Sequence, residues 1–120
     1  MNRQELERYI AEEYDVEPEY LWADDNVTAV FRHSNNRKWF GVLMKIPIEK
    51  LGLKAAGDID ILDIKLEPEM VSEMVASHNN QIFPAYHMNK KHWVTIVLNE
   101  NIDSSLIKAL LNESFRLTFS

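Results

Sequence analysis

The sequence predicts an α+β fold: a two-layer sandwich of one antiparallel five-stranded sheet and three helices, with order of elements α-β-β-β-α-β-β-α. Three observations lead there. Apolar residues recur at helical spacing in three segments, five short segments alternate with period two, and two pairs of strands are joined by hairpin-length connections. Three amphipathic helices can cover about one face of such a sheet, so the other face is expected to stay open.

The first helix runs from Asn2 to about Glu13, where Leu6, Tyr9 and Ile10 form one stripe and the acids face water. Pro18 and the acidic "PEYLWADDN" interrupt the period and read as a loop that tucks Trp22 against the core. "NVTAVFRHSNNRKWFGVLMKI" is the clearest hairpin: Val27, Ala29 and Phe31 alternate before the turn, and Phe40, Val42, Met44 and Ile46 after it. Asn35 and Asn36 suit the turn, because asparagine tolerates left-handed backbone angles. "PIEKLGLKAAG" follows as a loop or short helical turn, and "DIDILDIKL" as the third strand.

Pro68 fits the first turn of the second helix, where its missing N–H costs nothing. Val71, Met74, Val75 and His78 mark that helix's apolar face. "IFPAYH" and "HWVTIVL" are the fourth and fifth strands, joined by "MNKK". Both faces of the fifth are apolar, which makes it an interior strand. Asp103 caps the last helix, whose stripe is Leu106, Ile107, Leu110, Leu111 and Phe115.

The 120 residues are read as one domain, 1–120, large enough to bury roughly two-thirds of the surface of the unfolded chain. With no cysteine, disulfides and thiolate chemistry are excluded. The charged start and the lack of any run near the roughly 20 apolar residues of a membrane span lead to the expectation of a cytoplasmic chain with no membrane partner.

A net charge of −6 argues against generic nucleic-acid binding, yet the charge is uneven. Residues 1–25 net −7 and residues 58–80 net −5, whereas residues 26–57 net +5 and residues 81–98 add Lys90 and Lys91 without an acid. A molecule with one basic face is compatible with that pattern, and so are solvated charges scattered over a sheet.

Catalytic and metal chemistries find little support. Four histidines lie on separate elements without a carboxylate at ligand spacing, and "DIDILD" lacks the glycine and terminal glutamate of a calcium loop. There is no G-x-S-x-G elbow and no glycine-rich phosphate cradle. No enzyme, metal or cofactor is expected. The basic and aromatic residues of two hairpin tips are the remaining candidates. Arg32, Arg37, Lys38 and Trp39 mark one, and Tyr86, His87, Asn89, Lys90, Lys91 and His92 the other. Cations there would meet phosphates and rings would stack or pack beneath them; equally, the rings are sheet-surface residues and the lysines solubilise turns.

Residues 84–117, "PAYHMNKKHWVTIVLNENIDSSLIKALLNESFRL", resemble the C-terminal signature of the MmcQ/YjbR-like family. The matching features are a histidine, Asn-Lys, His-Trp leading into a strand, an acidic cap, and a helix ending in serine plus an aromatic. "KWFGVLMKI" resembles the family's lysine-aromatic strand and Trp22 its pre-strand tryptophan, so the likeness spans most of the chain. One departure stands out: Arg37 precedes Lys38 where the family usually has glycine. The resemblance implies a CyaY-like or secretion-chaperone-like double-wing domain that binds double-stranded DNA. Phosphate contacts would then come from Arg32, Arg37, Lys38, Lys90 and Lys91, with His87, Asn89 and His92 beside them. The alternative is an interaction domain that takes a protein partner or a second copy of itself on the uncovered sheet face or in a helix groove.

Overall fold

The computed structural model describes residues 1–22 and 27–120; the part of the expected acidic loop through Ala23, Asp24, Asp25 and Asn26 lies outside the described residues. Along the chain come α1 (Arg3–Tyr14), β1 (Ala29–Arg32), β2 (Trp39–Pro47), a 3-10 turn (Ile48–Leu51), β3 (Asp58–Lys65), α2 (Pro68–Ser77), β4 (Ile82–Pro84), β5 (Trp93–Val97) and α3 (Ser104–Thr118). This is the expected order.

Local chemistry explains where the helices begin. Asn2 accepts from the Glu5 amide at 2.9 Å while the Glu5 carboxylate accepts from the Asn2 amide at 3.0 Å, a reciprocal cap on otherwise unpaired groups. Pro68 opens α2, and Asp103 accepts from the Ser105 amide at 2.9 Å at the start of α3.

The five strands lie in the order β1-β2-β3-β5-β4, and each neighbouring pair is antiparallel. β5 is interior, flanked by β3 and β4, which accounts for its two apolar faces. On the helix side, Leu6, Ile10, Phe31, Phe40, Leu43, Leu62, Ile64, Val94, Ile96, Ile107 and Leu111 form the main core. On the opposite side Val30, Val42, Met44, Ile46 and Ile61 form a second cluster, with Trp39, Leu51, Ile59 and Tyr86 packed against it.

Phe40 departs from the expected alternation. It lies on the helix side while Val42, Met44 and Ile46 lie on the other, because Phe31 pairs with Gly41 and Arg32 with Trp39, leaving Phe40 as the extra residue of a bulge. Ser114 of α3 stabilises this irregularity. Its buried hydroxyl donates to the Phe40 carbonyl at 2.7 Å and accepts from the Lys65 amide at 2.9 Å, tying α3 to β2 and β3 together. The serine-aromatic pair near the end of the last helix thus has a structural reason.

The β1–β2 turn also departs from expectation. The left-handed residue is Arg37, at φ 65°, not either asparagine. Arg37 thus holds a conformation that glycine adopts without strain. The asparagines face α3 instead: Asn36 donates to the Thr118 and Phe119 carbonyls at 2.9 and 2.8 Å, and Asn35 to Phe119 at 3.2 Å. Carbonyls at a helix C-terminus need such donors, and here the hairpin tip supplies them. Beneath it, buried His33 is 2.7 Å from the Thr118 hydroxyl through Nε2 and packs against Phe40 and Phe115.

Candidate functional site

The side of the sheet away from the helices carries a groove of about 560 Å³. Val42, Met44 and Ile46 of β2 line it, and rings frame it. Trp22 meets Trp39 edge to face, with centroids 6.4 Å apart, and Tyr86 packs its ring 4.0 Å from that of His87, with Met88 alongside. Trp22 is 46% exposed. The expectation that it tucks into the core is therefore corrected: the core's helix side is filled by α1 and α3, and Trp22 stands on the opposite face.

The wall bearing Tyr86 differs from the expected long fourth strand. Pairing of β4 stops at Pro84, and residues 85–92 leave the sheet edge. The Tyr86 amide donates to the Thr95 side chain at 2.8 Å, and His87 takes a left-handed backbone at φ 67°. Asn89 organises the rest. Its side-chain oxygen accepts from the Lys91 and His92 amides at 2.8 and 3.3 Å, and its carbonyl from the Trp93 amide at 2.9 Å. The Leu66 amide donates to the His92 carbonyl at 2.8 Å, anchoring the end of the connection to β3.

The two basic connections share one end of the sheet. β5 begins at Trp93, opposite Lys65, and β2 begins at Trp39 on the other side of β3. β2 and β5 flank the same strand, so their starts are roughly 10 Å apart at normal strand spacing. Several of the cations are already engaged. Glu19, whose backbone pairs with Val30 on the outer edge of β1, lies 3.1 Å from Arg32 and 3.3 Å from Arg37. Lys38 donates to the Ser120 main-chain oxygen at 2.6 Å and Lys90 to the Ala85 carbonyl at 2.8 Å. A carbonyl partner leaves the ammonium's charge uncompensated, whereas a carboxylate offsets it. Lys38, Lys90 and Lys91 are exposed, whereas the arginines are paired with an acid.

Sequence reasoning placed the eight candidates on two connections, and the structure brings those connections to one end. It missed Glu19, the anchoring of Asn36 on α3, and the groove itself. The resemblance of Trp22 to a pre-strand tryptophan, together with Trp39 at the start of β2, was the available signal for the groove. Among the described residues no group of three or more histidines and carboxylates could hold a metal ion, and no helix is long and apolar enough to cross a membrane.

Comparison with known proteins places the whole fold among relatives. The YjbR family matches residues 3–117. The uncharacterized protein YyaQ of Bacillus subtilis (strain 168) is 39% identical over 118 residues, 98% of each chain. A crystal structure of a Pseudomonas syringae protein superimposes with a TM-score of 0.93 at 42% identity, covering 98% of this chain and 99% of that one. A Deinococcus radiodurans protein with a DUF419 domain gives a TM-score of 0.69 at 26% identity, over 92% of this chain and 73% of the other.

Proposed function

The chain belongs to the YjbR family, and from that premise we propose that it is a nucleic-acid-binding domain, a binder and not a catalyst. Its contacts are to DNA phosphates from the two basic connections, with the aromatic groove between them. One observation carries this reading: both connections emerge at the same end of the sheet and flank a groove framed by Trp22, Trp39 and Tyr86. Cations that meet phosphates, with rings packed beneath them, suit a nucleic-acid backbone. Phosphate contacts position the ligand and carry little sequence information.

The ion pairs limit the electrostatic contribution. With Arg32 and Arg37 held by Glu19, the available cations are Lys38, Lys90 and Lys91, and the salt dependence follows from that number. At about 0.9 per phosphate neutralised, three lysines give a slope of log K against log salt of roughly −3. A titration with duplex DNA at several salt concentrations, read by tryptophan fluorescence, measures it. No binding at low salt ends this reading. Lys90→Glu combined with Lys91→Glu should weaken binding while the chain stays folded, with only the small loss of melting temperature expected from the Lys90–Ala85 hydrogen bond; a double variant that binds like the parent removes those lysines from the interface.

A second reading has its own observation. Tyr20, Leu21 and Trp22 are consecutive, each between 43% and 46% exposed, and lead to the groove. Such a cluster fits a protein partner or a second copy of the chain on the open sheet face. Light scattering across a concentration series distinguishes the two, since self-association through apolar residues raises the mass, persists in high salt and is lost in Trp22→Ala.

A further inference from the structure

Under the 85–92 connection lies an acid that takes no part in the groove. Asp63 is in β3 on the open side of the sheet and is wholly shielded from solvent. A buried carboxylate is costly unless its oxygens are paired. Its Oδ1 accepts from the Thr95 hydroxyl at 2.5 Å, but its Oδ2 has no hydrogen-bond partner among the described residues. Thr95, also fully buried, accepts in turn from the Tyr86 amide. A relay therefore runs from the acid through Thr95 to the backbone of the residue that forms the groove's wall.

We propose that Asp63, Thr95 and the Tyr86 amide form a proton-operated latch. With Asp63 protonated, the 85–92 connection closes over the sheet; loss of the proton loosens it, and with it the Tyr86–Met88 wall. The physical reason is the orphaned oxygen. An ionised Asp63 under the closed connection is a buried charge with one oxygen unsatisfied, whereas opening admits water to it. Lys90, whose ammonium is held by the Ala85 carbonyl in the closed form, is the cation positioned to approach.

The surroundings do little to offset this. Val42 of β2 and Thr95 of β5, the residues paired with Asp63, carry no charge. Lys65 is two residues along β3 on the same side, and Lys50 of the 3-10 turn lies across a smaller groove from Lys90. The connection itself brings Lys90 and Lys91 with His87 and His92 as its remaining titratable groups, and Tyr86 as a phenol. Burial pushes the Asp63 carboxyl up from 3.8 to about 7, although the Thr95 hydrogen bond and the charge of Lys90 pull the other way. The closed form therefore holds its proton across a range in which an open form releases it.

The latch is a property of the folded chain without ligand; its effect on nucleic acid rests on the function proposed above. Exchange of the Tyr86 amide, corrected for its intrinsic rate, tests the latch without any ligand. Protection should fall by up to about tenfold per pH unit between pH 4 and 7 and then level off. Asp63→Asn should abolish that dependence, and His87→Asn with His92→Asn should retain it. Retention in Asp63→Asn, or a flat profile in the parent, overturns the latch. Should Asp63→Asn not fold, the carbon-13 carboxyl shift of Asp63 in the unmodified chain decides. A midpoint near 7 that moves with the Tyr86 amide supports the latch, and a midpoint below about 5 ends it.

Discussion

The two faces of this one sheet bury their residues to a similar degree by different means. On the helix side, Phe31, Phe40, Leu43, Leu62 and Ile64 are closed off by α1 and α3, elements built with caps and continuous apolar stripes. On the open side, Val30, Val42 and Ile61 are equally hidden, but beneath side chains from irregular segments and strand ends: Trp39, Leu51, Ile59 and, from the 85–92 connection, Tyr86. Burial of a strand residue therefore does not reveal what covers it. A face covered by a regular element is closed, whereas one covered by rings and a turn retains a groove and can be opened at the cost of a few hydrogen bonds.

The largest expected effect tests that contrast directly. Phe40→Ala removes a ring packed against Phe31, Tyr14, His33 and Phe115 and should cost about 3–5 kcal/mol in urea unfolding. Met44→Ala, across the same strand and bordering the groove, should cost about 2 kcal/mol, at the lower end for such truncations. Equal losses would mean that the open side is sealed as tightly as the other.

Next in size is an opposition in pH dependence. Asp63 on the open side is raised, so the folded chain holds a proton that the unfolded chain releases, and its contribution to stability declines as pH rises from about 4 to 7. Three pKa units set an upper bound on the order of 4 kcal/mol. His33 on the helix side acts in the other direction. Burial lowers its pKa, so the unfolded chain takes up a proton first, and its contribution is present above 6.5 and lost as pH falls below that. Unfolding measured at several pH values in Asp63→Asn should lose the Asp63 decline and keep the gain that His33 contributes as pH rises toward 6.5. An unchanged profile would break the assignment of opposite signs to the two faces.

Ser114→Ala comes third. It leaves the bulge carbonyl of Phe40 and the Lys65 amide without their buried partner, with an expected cost of about 1–3 kcal/mol. A loss below about 0.5 kcal/mol in thermal unfolding would mean that water replaces the serine and that the helix side is less closed than described. Arg37→Gly is the smallest. Relief of the left-handed backbone should raise stability by up to about 1 kcal/mol, less the entropy of glycine, and the exposed pair with Glu19 forfeits little. A clear destabilisation would show that Glu19 holds the tip more firmly than the Asn36 contacts do.

Local patterns were legible because local physics writes them. The cap at Asp103, Pro68 in a first turn, and the alternation of β3 and β5 each depend on residues a few positions apart. The bulge at Phe40 was not legible, since a bulge shifts the phase of an alternating strand without any change in residue type. Asn35 and Asn36 were read for their own backbone tolerance, but their amides serve carbonyls of a helix more than eighty residues onward. Glu19 likewise counted as one more acid in a negative segment until its backbone pairing with Val30 set it beside Arg32 and Arg37.

Period and propensity act over one or two turns of chain, and they were sufficient for the order of elements, the cap of the last helix and the existence of an uncovered sheet face. Which groups meet across that face depended on strand order. The insertion of β5 between β3 and β4 brought Asp63 to Thr95, while the bulge in β2 turned Trp39 toward the groove and Phe40 away from it. Charge could be counted along the chain, but whether a cation is free or paired is decided by a neighbour distant in sequence, and only the packed chain supplies that neighbour.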